Sequence, residues 1–184
     1  MLKPFLIGQL VIILLLAGCK IDQDKKVDRS KFQFEIGDDS ELFFRNVRQI
    51  FYDRSSPDGT WQAYRFSDRH LGNERPVILP IIVINWLKDE AYLLIDTNEL
   101  LSEEGYLEVI ISDFSTSKSD TIILNHRGRE RMLEFGSQLY EAIQANQKIE
   151  VRSKGKFLPV LHEGIDRETF RVTMSDYYRL TRVF

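Results

Sequence analysis

Three arginines gather in the stretch Asn125-His126-Arg127-Gly128-Arg129-Glu130-Arg131, where an apolar stripe of helical spacing begins. The amino end of a helix is the positive end of its dipole and carries free backbone N–H groups, so guanidinium groups there are mildly unfavourable unless an anion shares them. His126, Arg127, Arg129 and Arg131 are therefore candidate anion-binding residues. A phosphate, a lipid A or lipopolysaccharide phosphate, an acidic sugar or a carboxylate from the Asp96–Glu104 connection would all fit. A solvated basic loop closed by internal ion pairs accounts for the same residues, as it does for most surface charge clusters. A second group, Asp68, Arg69, His70, Glu74 and Arg75, mixes both signs and reads either as a salt-bridged loop or as a place for proton transfer. The histidines, His70, His126 and His162, are far apart and form no His-Glu-x-x-His pair. There is no Gly-rich phosphate loop and no Gly-x-Ser-x-Gly elbow. No catalytic residue, metal ligand or cofactor is assigned from the sequence.

Cys19 is the chain's one cysteine. It follows a basic start at Lys3 and an apolar run from Phe5 to Leu16 broken only by Gly8 and Gln9, the plan of a secretory signal peptide. That run is shorter than the roughly 20 residues a membrane-spanning helix needs. Leu16-Ala17-Gly18-Cys19 resembles the lipobox of bacterial lipoproteins. The resemblance implies a diacylglyceryl thioether on Cys19, cleavage before it and acylation of the new amino terminus. Lipidation would also consume a thiol that has no partner for a disulfide. Acyl chains contribute about 0.8 kcal/mol per buried methylene, and two or more hold a protein stably on a membrane. Lys20, rather than Asp, follows the cysteine. By resemblance to proteobacterial lipoproteins this implies an outer-membrane destination, periplasmic or surface-facing. The charged run after it loosely resembles the surface-export signals of Bacteroidetes lipoproteins.

Residues 1–18 are thus expected to be a signal peptide, 19–31 a lipidated cysteine with a charged tether, and 32–184 one folded domain. Removing the leader leaves 24 basic against 28 acidic side chains, a balance that argues against a nucleic acid partner. The membrane, through Cys19, and an envelope protein are the expected partners.

Position of these groups depends on the elements that carry them. Phe32–Ile36 alternates apolar and polar, as a half-buried strand does. In Leu42–Tyr52, Phe43, Val47, Ile50 and Phe51 fit a helical stripe, but β-favouring composition and the turn Ser56-Pro57-Asp58-Gly59 predict a strand returning through Trp61–Phe66. Val77–Trp86 and Ala91–Ile95 read as central strands of a hairpin, with Pro80 marking a bulge or the end of a pairing. Strands follow at Leu107–Ile111 and Thr121–Leu124. Met132, Phe135, Leu139 and Ile143 predict an amphipathic helix over residues 130–146, stopped by Asn146. A hairpin through Ile149–Val151 and Phe157–Leu161 turns at Ser153-Lys154-Gly155, and Phe170, Val172 and Met174 alternate as a last strand. Tyr177 and Tyr178 are expected to pack the chain end onto the core.

The predicted class is mainly β, an antiparallel β-sandwich or partial barrel with one amphipathic helix packed on it. From Val77 onward the element order faintly resembles that of invasion-associated-locus-B-like periplasmic domains, whose usual cysteines are absent here; no function is transferred from it. The leading functional expectation is a noncatalytic, membrane-anchored binding or accessory module; an exposed aromatic patch from Trp61, Tyr64 or the Tyr177-Tyr178 pair would support a partner interface. The alternatives are an envelope enzyme with a site near Asp68, His70 and Glu74 or near His126, and a structural spacer in an envelope complex.

Overall fold

The computed structural model describes residues 27–56, 59–102, 105–113, 118–125, 128–162 and 164–184. The expected lipidation site, Cys19, and two members of the arginine stretch, His126 and Arg127, lie outside them. Two four-stranded antiparallel sheets carry the architecture. The first has the order β1 (Tyr52–Ser55), β2 (Gln62–Phe66), β3 (Ile78–Asn85), β4 (Glu90–Thr97). The second consists of β5 (Leu107–Ser112), β6 (Ser119–Leu124), β7 (Lys148–Ser153) and β8 (Lys156–Pro159), with β5 between β6 and β7. The expected class, antiparallel and mainly β with an amphipathic helix packed on it, is the one observed.

Among the described residues the helices are α1 (Asp38–Phe43), the short α2 (Glu99–Ser102), α3 (Arg129–Gln144) and α4 (Gly164–Leu180). The helix expected over 130–146 is α3, which packs on β4 and also reaches β6, so it ties the two sheets together. Its stop is where the sequence put it: Asn146 takes a left-handed φ of 54°, and the Gln147 N–H donates to the Ala142 carbonyl at 2.9 Å, closing the last turn. Gly136 lets α3 approach its neighbours, since a Cβ there would stand 2.7 Å from Leu93 Cδ2 and 3.2 Å from Met174 Cε. Lys154 and Gly155, with φ of 50° and 76°, make the expected two-residue turn between β7 and β8.

Two segments expected as strands are helical. Phe170, Met174, Tyr177 and Tyr178 are spaced four, three and one apart and are all fully buried, so they form the inner stripe of α4. The period of two seen at 170, 172 and 174 covered only five residues, too few to outweigh it. Leu42–Tyr52 is corrected likewise: α1 runs into a π-helical turn, Phe44–Arg48, and a 3-10 turn, Gln49–Phe51, before β1 begins at Tyr52. Gly37 precedes α1, and Asp38, Asp39 and Glu41 occupy its first turn, where carboxylates favour the helix dipole. Phe32–Ile36 stays extended with the alternation expected of it, but it meets the first sheet in a single bridge, Glu35 to Glu90, rather than a ladder.

Packing begins before Phe32. Val27 is buried in the core, and Arg29 reaches Glu134 at 3.0 Å and Glu141 at 2.9 Å on α3, although charge alone made this stretch look like solvated chain. Pro80 keeps its register opposite Ile95. The β2–β3 ladder, however, stops at Ile82, short of a residue with no N–H to offer.

Candidate functional site

Where β2 parts from β3, a cleft of ≈ 220 Å³ opens. Its apolar lining comes from Phe66, Val77, Leu79, Pro80 and Ile81, and its polar rim from Arg65, Arg69, His70 and Asp96. The loop over residues 67–76 forms one wall and is fixed from three sides. The Asn98 side chain donates to the carbonyls of Gly72 at 3.2 Å and Arg75 at 2.7 Å, while its Oδ1 accepts from the Val77 N–H at 3.2 Å. The Thr169 hydroxyl donates to the Asp68 carbonyl at 2.7 Å. Arg75 pairs with the buried Asp166 of α4 at 2.9 Å.

The two arginines of the rim differ in how far they are engaged. Arg69 donates to Asp53 at 2.6 Å and to the Phe66 carbonyl at 2.7 Å, and its guanidinium holds the Asp53 carboxyl below the usual aspartate value. Arg65 stands 3.9 Å from Asp96 and donates to the Ser55 hydroxyl at 3.1 Å. Its loose ion pair leaves it the rim cation more easily shared with a ligand. His70 Nε2 lies 3.0 Å from Glu74 Oε2. The Glu74 carboxyl is lowered by its own backbone N–H and then by His70. This imidazole–carboxylate pair can relay a proton at the rim. Among the lining residues the hydroxyls belong to Thr97 and Thr169, and that of Thr169 is already committed to Asp68.

Of the mixed-charge group, Arg69 and His70 line the cleft, Glu74 pairs with His70 from outside the lining, and Asp68 contributes its backbone carbonyl to the hold on the wall. The structure does not join the described arginines of the other group. Arg129 folds back over the ring of Phe34, 4.5 Å from its centroid, and pairs with Glu130 at 2.9 Å. Arg131 instead donates to Asn125 at 3.3 Å and lines a shallow depression against β6. Nor do the aromatics whose exposure would have supported a partner interface form a patch: Tyr64, Tyr177 and Tyr178 are fully buried, and Trp61 packs on Tyr92 with ring centroids 5.2 Å apart. Arg65, Asp96 and Asn98 were missed as a group because they are distant in sequence. The one local signal was Pro80, which marks where the strands separate.

Further along α4 from Thr169 lies a buried polar cluster. Asp176 accepts from Arg48 Nε at 2.8 Å and from the Tyr52 hydroxyl at 2.7 Å. Burial raises the Asp176 carboxyl above its ordinary value, against the opposing pull of Tyr52 and Arg48. No group of three or more histidine, cysteine, aspartate or glutamate side chains placed to hold a metal ion occurs among the described residues, and no described helix is long and apolar enough to cross a membrane. Comparison with protein-family models, curated proteins and solved structures finds no match for this chain.

Proposed function

We propose that the protein is a bacterial envelope lipoprotein, held on a membrane through Cys19, whose folded part is a noncatalytic binding or accessory module. The anchor is supported by the lipobox-like Leu16-Ala17-Gly18-Cys19 and by the absence of any second cysteine. Lys20 supports the outer membrane as its address. The observation that carries the binding reading is the cleft, where an apolar floor meets the partly engaged guanidinium of Arg65. At ≈ 220 Å³ it is smaller than the roughly 300–1,000 Å³ of drug-sized sites. It suits a small amphiphilic anion, or the anionic end of a larger envelope molecule.

Thermal unfolding of the full chain with short aliphatic carboxylates and phosphate monoesters tests this. A ligand present at about 100 times its Kd stabilises by about 2.7 kcal/mol and raises Tm by several degrees. That rise is expected in the parent protein and absent in Arg65→Ala. No rise with any of these anions, or the same rise in both proteins, contradicts the cleft as the site.

An enzymatic reading draws on the His70–Glu74 pair at the rim. It predicts that a ligand found by the melting screen is recovered chemically altered, and that conversion stops in His70→Gln. Recovery of the unchanged ligand supports the binding module instead.

A further inference from the structure

The segment Leu42–Phe51 turns its apolar side outward. Leu42 is 62% exposed and Ile50 77%, and Phe43, Val47 and Phe51 are each exposed by more than two fifths. These residues follow the spacing of one helical face, with the polar Asn46 among them. The opposite side faces the protein: Phe44 is buried with its ring 5.2 Å from that of Tyr64, and Arg48 reaches inward to Asp176. An amphipathic helix on a soluble core normally presents the reverse arrangement. So many large apolar side chains on one exposed face mark a surface that is covered in use.

We infer that this face rests on the anionic lipid surface to which Cys19 is anchored. The inference rests on the lipoprotein reading and adds the orientation of the domain. Seven residues, 20–26, separate Cys19 from the packed Val27, so Val27 stands at most about 28 Å from the acylated residue even with that chain fully extended. A domain of this size is about 40 Å across, so the tether keeps it within less than its own width of the bilayer, where one face can settle on lipid. The chain enters along α3, where Arg29 meets Glu134 and Glu141, and then passes the carboxyl end of α4 to reach α1, where the outward face begins. Gln33 donates to the Thr181 carbonyl at 2.7 Å, and Asp39 of α1 pairs with Arg182, both at the carboxyl end of α4.

Charge agrees with lipid as the occupant. A notch of ≈ 260 Å³ beside this segment is lined by Gln49, Arg54, Trp86 and Arg45; Arg45 is stacked on Trp86 and paired with Glu41, so Arg54 is the cation the notch offers to an anionic headgroup. Two of the α1 carboxylates are already neutralised, Asp39 by Arg182 and Glu41 by Arg45 at 2.8 Å. Apolar side chains on an interfacial helix enter the headgroup and acyl boundary by about 5–10 Å, with cations beside them on anionic lipid.

The test uses the full, acylated protein reconstituted in phosphatidylethanolamine–phosphatidylglycerol vesicles. With Cys19 acylated, Ile50→Cys or Leu42→Cys supplies a single free thiol for an environment-sensitive fluorophore, and Asp120→Cys on exposed β6 is the control. Blue-shifted emission and loss of fluorescence to nitroxide-bearing lipids at positions 42 and 50, but not at 120, is the expected result. Water-like emission at all three positions, from protein that still floats with the vesicles, overturns docking while leaving the anchor intact. A blue shift that nitroxide lipids do not quench shows protein covering the face, a second copy included, and also overturns it. If mass spectrometry finds Cys19 unacylated and the protein does not float, the lipoprotein reading fails and the docking inference fails with it.

Discussion

Asp176 sits where its charge is unfavourable, yet it organises the residues around it. Because burial raises its carboxyl above the ordinary 3.8, the folded chain binds this proton more tightly than the unfolded chain does. Its contribution is therefore fully favourable below pH 3.8 and is lost as pH rises through the raised value. Asp176→Asn has no such proton. The stability advantage of the parent over this variant, read from urea midpoints between about pH 3 and about pH 7, is expected to shrink as pH rises. An advantage that grows with pH would mean that Arg48 and Tyr52 overcome burial. Tyr52→Phe removes the hydroxyl that donates to Asp176 at 2.7 Å, and a loss of about 1–3 kcal/mol in urea unfolding is expected. None of this cluster was legible beforehand, because Arg48 and Asp176 are 128 positions apart. Tyr177 and Tyr178 were legible as core, since large aromatics at a chain end lower the free energy most by burial.

At the scale of elements, the helix α3 shows what a sequence states plainly. Met132, Phe135, Leu139 and Ile143 sustain a helical period over more than three turns, and Asn146 ends it. Gly136 within it was silent, because a close approach is a property of the partner helix and strand. In Gly136→Ala the added methyl group meets Leu93 and Met174. Crowding of about 1–3 kcal/mol outweighs the gain of about 1 kcal/mol from replacing glycine in a helix, so a net loss near 1 kcal/mol is expected in urea unfolding. Leu42–Phe51 misled in the other direction. Its helical stripe was visible, and Gly37-Asp38-Asp39 before it was a readable helix start, but β-favouring composition was given more weight. The consequence is testable by stability: Ile50→Ser, on the outward face, should change unfolding free energy by less than about 0.5 kcal/mol. Phe44→Ala, one element turned inward, should lose about 3–5 kcal/mol. Equal losses from both would mean that the outward face is part of the fold's own packing.

For the whole molecule, sequence and structure inform different halves of the account. The antiparallel β class was legible from turn residues and from strands such as β4, β5 and β7, which bury every second residue. The cleft was not, since it arises where β2 and β3 diverge and draws its lining from three strands, a loop and α4. The proposed location rests on four residues, Leu16–Cys19, because the chemistry of acylation acts on sequence before the chain folds. If the anchor, the outward face of Leu42–Phe51 and the cleft act together, the domain presents its ligand site at a fixed height above lipid. All of that depends on Cys19. Mass spectrometry of the amino-terminal peptide of the protein extracted from membranes of its own cells tests the anchor directly. A chain that begins at Cys19 and carries the added mass of two or three acyl chains is expected, with Cys19→Ser lost from the membrane. A peptide with Cys19 unmodified, or a chain cut elsewhere and free of the membrane, contradicts the anchor.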